Sequence, residues 1–191
     1  MRAVRCQRCA IRACLCEEIP AIANRIPVVI LRHVLERHKR TNSARWAALA
    51  LTRCRIVDYG GRDDSLDSPS LLGRGAWLVY PGRGAGAAPT GTPETLLFLD
   101  GSWAQTRRML HRIPGLASLP RLALPPGHER RRLRRPPDGG LATLEAVAAA
   151  LALHGERDAA ARLDALYALA VERSFEAPRP RAEPLARNTI G

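Results

Sequence analysis

Leu96-Leu97-Phe98-Leu99-Asp100-Gly101-Ser102-Trp103 reads as a short buried strand that stops in a polar turn. Four consecutive apolar residues suit a strand covered on both faces. Ala104-Gln105-Thr106-Arg107-Arg108-Met109-Leu110-His111-Arg112 follows at once with helical spacing. A strand, a turn and a helix in succession form the building unit of an α/β fold. In open α/β sheets, ligands bind beyond the carboxyl ends of the strands. The segment therefore predicts a fold class and a place for chemistry together.

The same pattern extends in both directions. Pro27-Val28-Val29-Ile30-Leu31 is a predicted strand followed by a basic loop. Thr41-Asn42-Ser43 offers N-cap residues for a helix running to about Leu51. Arg55-Ile56-Val57-Asp58-Tyr59 is a second strand ending at Gly60-Gly61, and Ala76-Trp77-Leu78-Val79-Tyr80 a third, stopped by Pro81-Gly82. Arg121-Leu122-Ala123-Leu124 is a short fifth strand. Two helices close the pattern. Leu144, Val147 and Leu151 mark one that stops at Gly155; Leu163, Leu166, Tyr167 and Ala170 mark another ending near Ser174. Strands alternating with helices imply a mostly parallel α/β sheet. The expected organisation is a cysteine-rich head at 1–18, a main domain at 19–175 and a Pro- and Arg-rich tail at 176–191.

Length and charge narrow the classes. A chain of 191 residues is expected to form one domain with a small appendage. No stretch approaches the roughly 18 apolar residues of a membrane span, and Met1-Arg2-Ala3-Val4-Arg5-Cys6 lacks a hydrophobic signal core. A cytoplasmic protein without membrane contact is the expectation. The formal net charge is +12, and Lys39 is the only lysine. A GC-rich genome accounts for arginine over lysine but not for the missing acids. The surplus points to a polyanion, with nucleic acid first. Its densest clusters are Arg130-Arg131-Arg132-Leu133-Arg134-Arg135 and Arg37-His38-Lys39-Arg40, which otherwise are solvated loops. Guanidinium forks suit phosphate oxygens and stack on exposed bases.

Cys6, Cys9, Cys14 and Cys16 follow the pattern C-x2-C-x4-C-x-C. Four thiolates can complete a tetrahedral zinc site, and so short a loop needs such a staple. Arg5, Arg8 and Arg12 would favour the thiolate form. Structural zinc is preferred over an iron–sulfur cluster, and disulfides do not fit a reducing cytosol. Cys54 stands alone and reads as a small buried hydrophobe.

At the strand end, Asp100 is either a helix N-cap or a base or orienting acceptor, and the residues alone favour the cap. Ser102 carries the same ambiguity. Trp103 either packs inward or walls a pocket. Trp103, Thr106, Met109, Leu110 and Ile113 share one helix face; Arg107, Arg108, His111 and Arg112 share the other. Gly82-Arg83-Gly84-Ala85-Gly86 is a loop rather than a dinucleotide fingerprint, because its third glycine is misplaced and Pro89 follows. His33 ends a strand as either a catalytic group or a polar loop residue. No Ser/His/Asp hydrolase constellation is convincing, since Asp100-Gly101-Ser102 lacks the glycines of a nucleophile elbow.

Taken in order, these motifs resemble the DTW-domain proteins, the tRNA-uridine aminocarboxypropyltransferases. The signature D-x-[ST]-W after an apolar strand is Asp100-Gly101-Ser102-Trp103, and the cysteine cluster ending C-L-C is Cys14-Leu15-Cys16. The H-P-x-E segment and the T/S-N-T/S step match His33-Val34-Leu35-Glu36, with Val34 for the usual proline, and Thr41-Asn42-Ser43. Tyr80-Pro81, Leu133-Arg134 and Ala142-Thr143-Leu144-Glu145-Ala146 complete a set spanning about 5–153. Four residues between the cysteine pairs is short for the family.

The resemblance implies a SPOUT-like fold with a C-terminal knot around an S-adenosyl-L-methionine site. It implies transfer of the 3-amino-3-carboxypropyl group to N3 of a uridine in RNA, most of all tRNA, with 5′-methylthioadenosine leaving. In that reaction Asp100 is the candidate to accept or orient the N3 proton. Trp103 lines the cofactor pocket, and the backbone around Gly101 and Ser102 holds polar cofactor atoms. Pro81 and Thr143 belong to cofactor loops, and Glu145 binds a charged group or caps its helix. Arg108 and Arg134 are assigned to RNA phosphate or the cofactor carboxylate, and Arg37, Lys39 and Arg40 to RNA. The uridine must be unpaired or flipped out, because pairing blocks N3. No obligate protein partner is expected. The alternatives are an S-adenosylmethionine-dependent RNA methyltransferase and a noncatalytic zinc-containing RNA-binding module.

Overall fold

The computed structural model describes residues 5–61, 72–81, 89–127, 133 and 140–176. Among these residues five strands form one sheet: β1 (Val28–His33), β2 (Cys54–Tyr59), β3 (Ala76–Val79), β4 (Thr95–Asp100) and β5 (Arg121–Leu122). Their order is β2-β1-β4-β3-β5, and every pairing is parallel. Among the described residues four helices accompany them: α1 (Ala44–Ala50), α2 (Trp103–Arg112), α3 (Thr143–Leu153) and α4 (Arg157–Glu176). The α/β class and the parallel sheet agree with the sequence pattern. β5 is shorter than expected, because pairing stops at Leu122 while Ala123 and Leu124 run on without it.

Alternate residues of each strand serve opposite faces. Val28, Ile30, Leu96, Phe98, Trp77 and Val79 join the larger core with α1, α3 and α4. Val29, Leu31, Leu97 and Leu78 join the smaller core with Met109, Leu110 and Ile113 of α2. Covering on both faces explains why β1, β3 and β4 are continuous apolar runs rather than alternating ones.

The cysteine head belongs to the larger core as well. Cys9, Ile11 and Leu15 are buried in it beside Trp46 of α1. The Trp46 indole Nε1–H donates to the Cys9 carbonyl at 2.9 Å. Arg173 of α4 pairs with Glu18 at the end of the head.

Glu156, between α3 and α4, accepts from the backbone N–H groups of Arg25 (2.8 Å) and Ile26 (3.1 Å). That contact anchors the chain entering β1. Gly155 there has φ +83°, a left-handed turn that a glycine takes without strain and that stops α3.

Candidate functional site

Three neighbouring strands, β2, β1 and β4, carry a charge at one level near their carboxyl ends. Sheet register sets Arg32 of β1 opposite Asp58 of β2 on one side and Asp100 of β4 on the other. The Arg32 guanidinium turns to Asp58, donating to its two oxygens at 2.7 and 3.1 Å. Asp100 takes its donors from elsewhere. Asn42 Nδ2 donates to Oδ2 at 2.5 Å, and Thr143 Oγ1 donates to Oδ1 at 2.6 Å. Asn42 Oδ1 in turn accepts from the Arg45 backbone N–H at 3.2 Å and, at the long end, from Arg32 Nη1 at 3.5 Å.

Asp100 is only 7% exposed. Burial pushes its carboxyl above the ordinary carboxylate value; the Thr143 and Asn42 donors pull it back, Glu36 adds to the rise and Arg32 opposes it. Asp100 is therefore not the cap of α2. Ser102 is: its side chain accepts from Gln105 N–H, and Gln105 Oε1 accepts from Ser102 N–H at 2.7 Å. The two acceptor positions that looked equivalent in sequence have divided the work.

Trp103 stands 43% exposed at the start of α2, edge-on to Tyr80 with ring centroids 6.4 Å apart. It does not join Met109, Leu110 and Ile113 in the smaller core. Arg107, Arg108, His111 and Arg112 are exposed, as the helical plot requires. Pro81 is exposed beyond the end of β3.

Residues around α1 and α3 lock this edge. Ser43 does not cap α1 with its hydroxyl; its Oγ accepts from the Leu144 N–H of α3 at 3.2 Å. Glu145 Oε2 accepts from Ala142 N–H at 2.7 Å, so the buried Glu145 serves its own helix end. His33 Nδ1 accepts from Leu35 N–H at 3.2 Å and caps a short 3-10 turn, Val34–Glu36. Of the basic loop, Lys39 pairs with the buried Glu36, Arg37 Nε lies 3.7 Å from Asp58 Oδ2, and Arg40 is exposed. Arg134, most of the 130–135 cluster, the 82–86 glycines and 177–191 lie outside the described residues.

Arg32 and Asp58 were not among the residues the sequence pointed to. The signal was present: an arginine and two aspartates each follow apolar residues near the end of a strand. Recognising it required knowing which strands are neighbours.

The four head thiols converge. Their Sγ atoms all lie within 4.8 Å of one another, with Cys6–Cys16 at 3.5 Å and Cys9–Cys14 at 3.9 Å. Tetrahedral zinc with bonds of about 2.3 Å needs sulfurs about 3.8 Å apart, so these four can hold a metal ion. The Cys9 and Arg8 backbone amides bring the Cys6 thiol down to about 6, while burial and the competing Cys6 thiol push Cys16 up to about 12. Cys54 is raised to about 12 by burial, which fits a packing role rather than a nucleophile.

Among the described residues, no helix is long and apolar enough to cross a membrane. No solved structure matches the chain. The chain is 29% identical over 172 residues to "tRNA-uridine aminocarboxypropyltransferase 2" of Drosophila melanogaster, a match covering 78% of this chain and 66% of that protein. The DTW domain profile matches residues 3–175, spanning both the cysteine head and the Asp100 edge, and the chain belongs to the DTW domain family.

Proposed function

We propose that the protein transfers the 3-amino-3-carboxypropyl group of S-adenosyl-L-methionine to N3 of a uridine in tRNA, releasing 5′-methylthioadenosine. The observation that carries this reading is the meeting of Asp100 and Thr143 at the carboxyl edge of the sheet. Two family segments far apart in sequence are joined there by one hydrogen bond, at the edge where α/β folds bind ligands. Family membership and the fly relative support the reaction class.

S-adenosylmethionine, when bound, supplies an electrophilic carbon next to its sulfonium. The surrounding side chains fit such a guest. Half-buried Tyr80 and exposed Trp103 form an aromatic corner beside Pro81, suited to an adenine or uracil face. Gly101 and Ser102 present backbone near the start of α2. Thr143 is fixed by Asp100 and faces the same edge. Asp100 orients rather than roams: both its oxygens already accept protein donors, and its raised proton affinity suits it to receive the N3 proton as the bond forms. Choice of one sulfonium carbon over the others is a matter of positioning.

Arg108, with Arg107 and Arg112 on the same exposed face, and Arg40 meet phosphate; Arg37 and Lys39 contribute less, being engaged with Asp58 and Glu36. The four cysteines hold structural zinc. The parallel sheet, with α3 packed against α1 and β4, is compatible with a SPOUT-like fold, and family membership is the ground for its C-terminal knot. A tRNA substrate fits a cytoplasmic protein.

The test is incubation of the purified protein with tRNA and S-adenosylmethionine, followed by mass analysis of nucleosides and small products. Methylthioadenosine together with an aminocarboxypropyl-uridine is the expected result. S-adenosylhomocysteine would mean methyl transfer instead. Salt-sensitive tRNA binding without affinity for S-adenosylmethionine would leave only an RNA-binding module.

A further inference from the structure

We propose that Asn42 is a positioning residue, its amide held in one orientation by Arg32 and the Arg45 backbone so that it fixes the charge and direction of the Asp100 carboxylate. The inference rests on the functional reading of Asp100 given above.

An asparagine amide has an acceptor end and a donor end, and only the surroundings decide which faces where. Here the surroundings are one-sided. Two donors, Arg45 N–H and Arg32 Nη1, meet Asn42 Oδ1 at 3.2 and 3.5 Å. The donor end, Nδ2, is therefore directed at Asp100 Oδ2. Arg32 is itself fixed, because Asp58 grips its guanidinium through two hydrogen bonds. Arg32, Asn42 and Asp100 are all buried, so none of these groups reorients freely in water.

The arrangement also explains a choice the sheet leaves open. Arg32 has an aspartate beside it in register on each side. A direct pair with Asp100 would hold that carboxylate as a committed anion. By pairing with Asp58 and being hydrogen-bonded toward Asp100 only through a neutral amide, Arg32 acts on Asp100 by charge from a distance and leaves it ionisable yet oriented. The charged groups of the described residues acting on Asp100 are Arg32 from β1 and Glu36 from the turn after it; α3 contributes the uncharged Thr143.

The experiment uses the full-length protein and two variants of similar side-chain size. Asn42→Asp keeps an acceptor toward Arg32 and Arg45 but turns a carboxylate oxygen toward Asp100. Asn42→Leu removes the donor without adding charge. The Asp100 carboxyl is followed by carbon NMR of aspartate-labelled protein, with Asp100→Asn assigning its resonance. In parallel, methylthioadenosine release is measured against pH. Asn42→Asp should raise the Asp100 midpoint by about one pH unit or more, and Asn42→Leu should raise it less. The acid limb of kcat should move with the midpoint, while KM for tRNA stays within about twofold. An unmoved midpoint in both folded variants, or a kcat lowered equally at every pH, overturns the proposal. If the unaltered protein releases no methylthioadenosine, the functional reading fails, and the carboxyl titration alone still decides the role of Asn42.

Discussion

Thr143 Oγ1 donates to Asp100 Oδ1 at 2.6 Å, joining residues 43 apart in sequence and tying the first turn of α3 to the end of β4. The contact is partly buried, so its loss is not made good by bulk water. Thr143→Ala should destabilise the fold by about 2 kcal/mol, the usual range for a hydrogen bond to a charged group. Thr143→Ser keeps the hydroxyl and should recover most of that loss. Urea midpoints of the three proteins check this. Equal loss in both variants would assign the effect to the threonine methyl instead.

Asp100 makes stability depend on pH with a definite sign. Its folded proton affinity lies above the ordinary value of 3.8, so between the two values the folded state binds more protons than the unfolded chain. Stability from this group is present at low pH and is lost as pH rises through the folded value. Asp100→Asn removes the titration. The variant's stability relative to the native protein should therefore rise as pH increases from about 4 toward neutrality. Urea unfolding at a series of pH values measures that difference. A difference that stays flat, or falls, would mean that the carboxylate is ionised in the fold without penalty.

The turn after Asp100 forms a capping box. Ser102→Ala removes the acceptor for Gln105 N–H and should cost about 1 kcal/mol. Gly101→Ala should act on the other half of the box. A Cβ at Gly101 would lie 3.1 Å from Gln105 Cβ and 3.2 Å from Gln105 Oε1, displacing the side chain that accepts from Ser102 N–H. Thermal unfolding of the single and double variants should show less than additive losses, because both substitutions break one reciprocal pair. Full additivity would show that the glycine matters for some other reason.

The strands and their class could be read locally because β1, β3 and β4 are unbroken apolar runs, and a run of that kind carries its own signal. A candidate site could be read at the strand end, since Asp100 follows such a run directly. Its internal wiring could not. Whether Asp100 or Ser102 caps α2 depends on what else competes for each oxygen, and Asp100 is claimed by Asn42, 58 residues away, and by Thr143. Likewise Thr41-Asn42-Ser43 looks like an ordinary helix start. Two of its side chains cross to β4 and α3, and no local rule reveals that. Trp103 stayed ambiguous for a related reason: helical periodicity gives its face but not how far the core reaches along the helix.

The cysteine head should behave as a structural metal site. The purified protein should carry one zinc per chain, and Cys6→Ser or Cys14→Ser should release it. Chelation should also change the environment of Trp46, whose indole donates to the Cys9 carbonyl. Metal content by elemental analysis, read with tryptophan fluorescence, tests both parts. A protein free of metal whose fluorescence ignores chelator would show that the thiols pack without an ion.

Basic residues should divide into two grades by what already holds them. Arg107, Arg108 and Arg112 lie exposed on one side of α2, so each is available to phosphate. Arg37 already has Asp58 within 3.7 Å, and Lys39 already has Glu36. A phosphate reaching either must compete with a carboxylate, which lowers the gain from binding. Each phosphate contact contributes about 0.7 to 0.9 to the slope of log affinity against log salt. Arg108→Ala should therefore lower the slope for tRNA binding by about that amount, whereas Arg37→Ala and Lys39→Ala should lower it by less. Filter binding or fluorescence anisotropy across a salt series measures the slopes. If Arg37 and Lys39 prove as costly to remove as Arg108, the carboxylates must yield to RNA, and the loop after β1 must open when it binds.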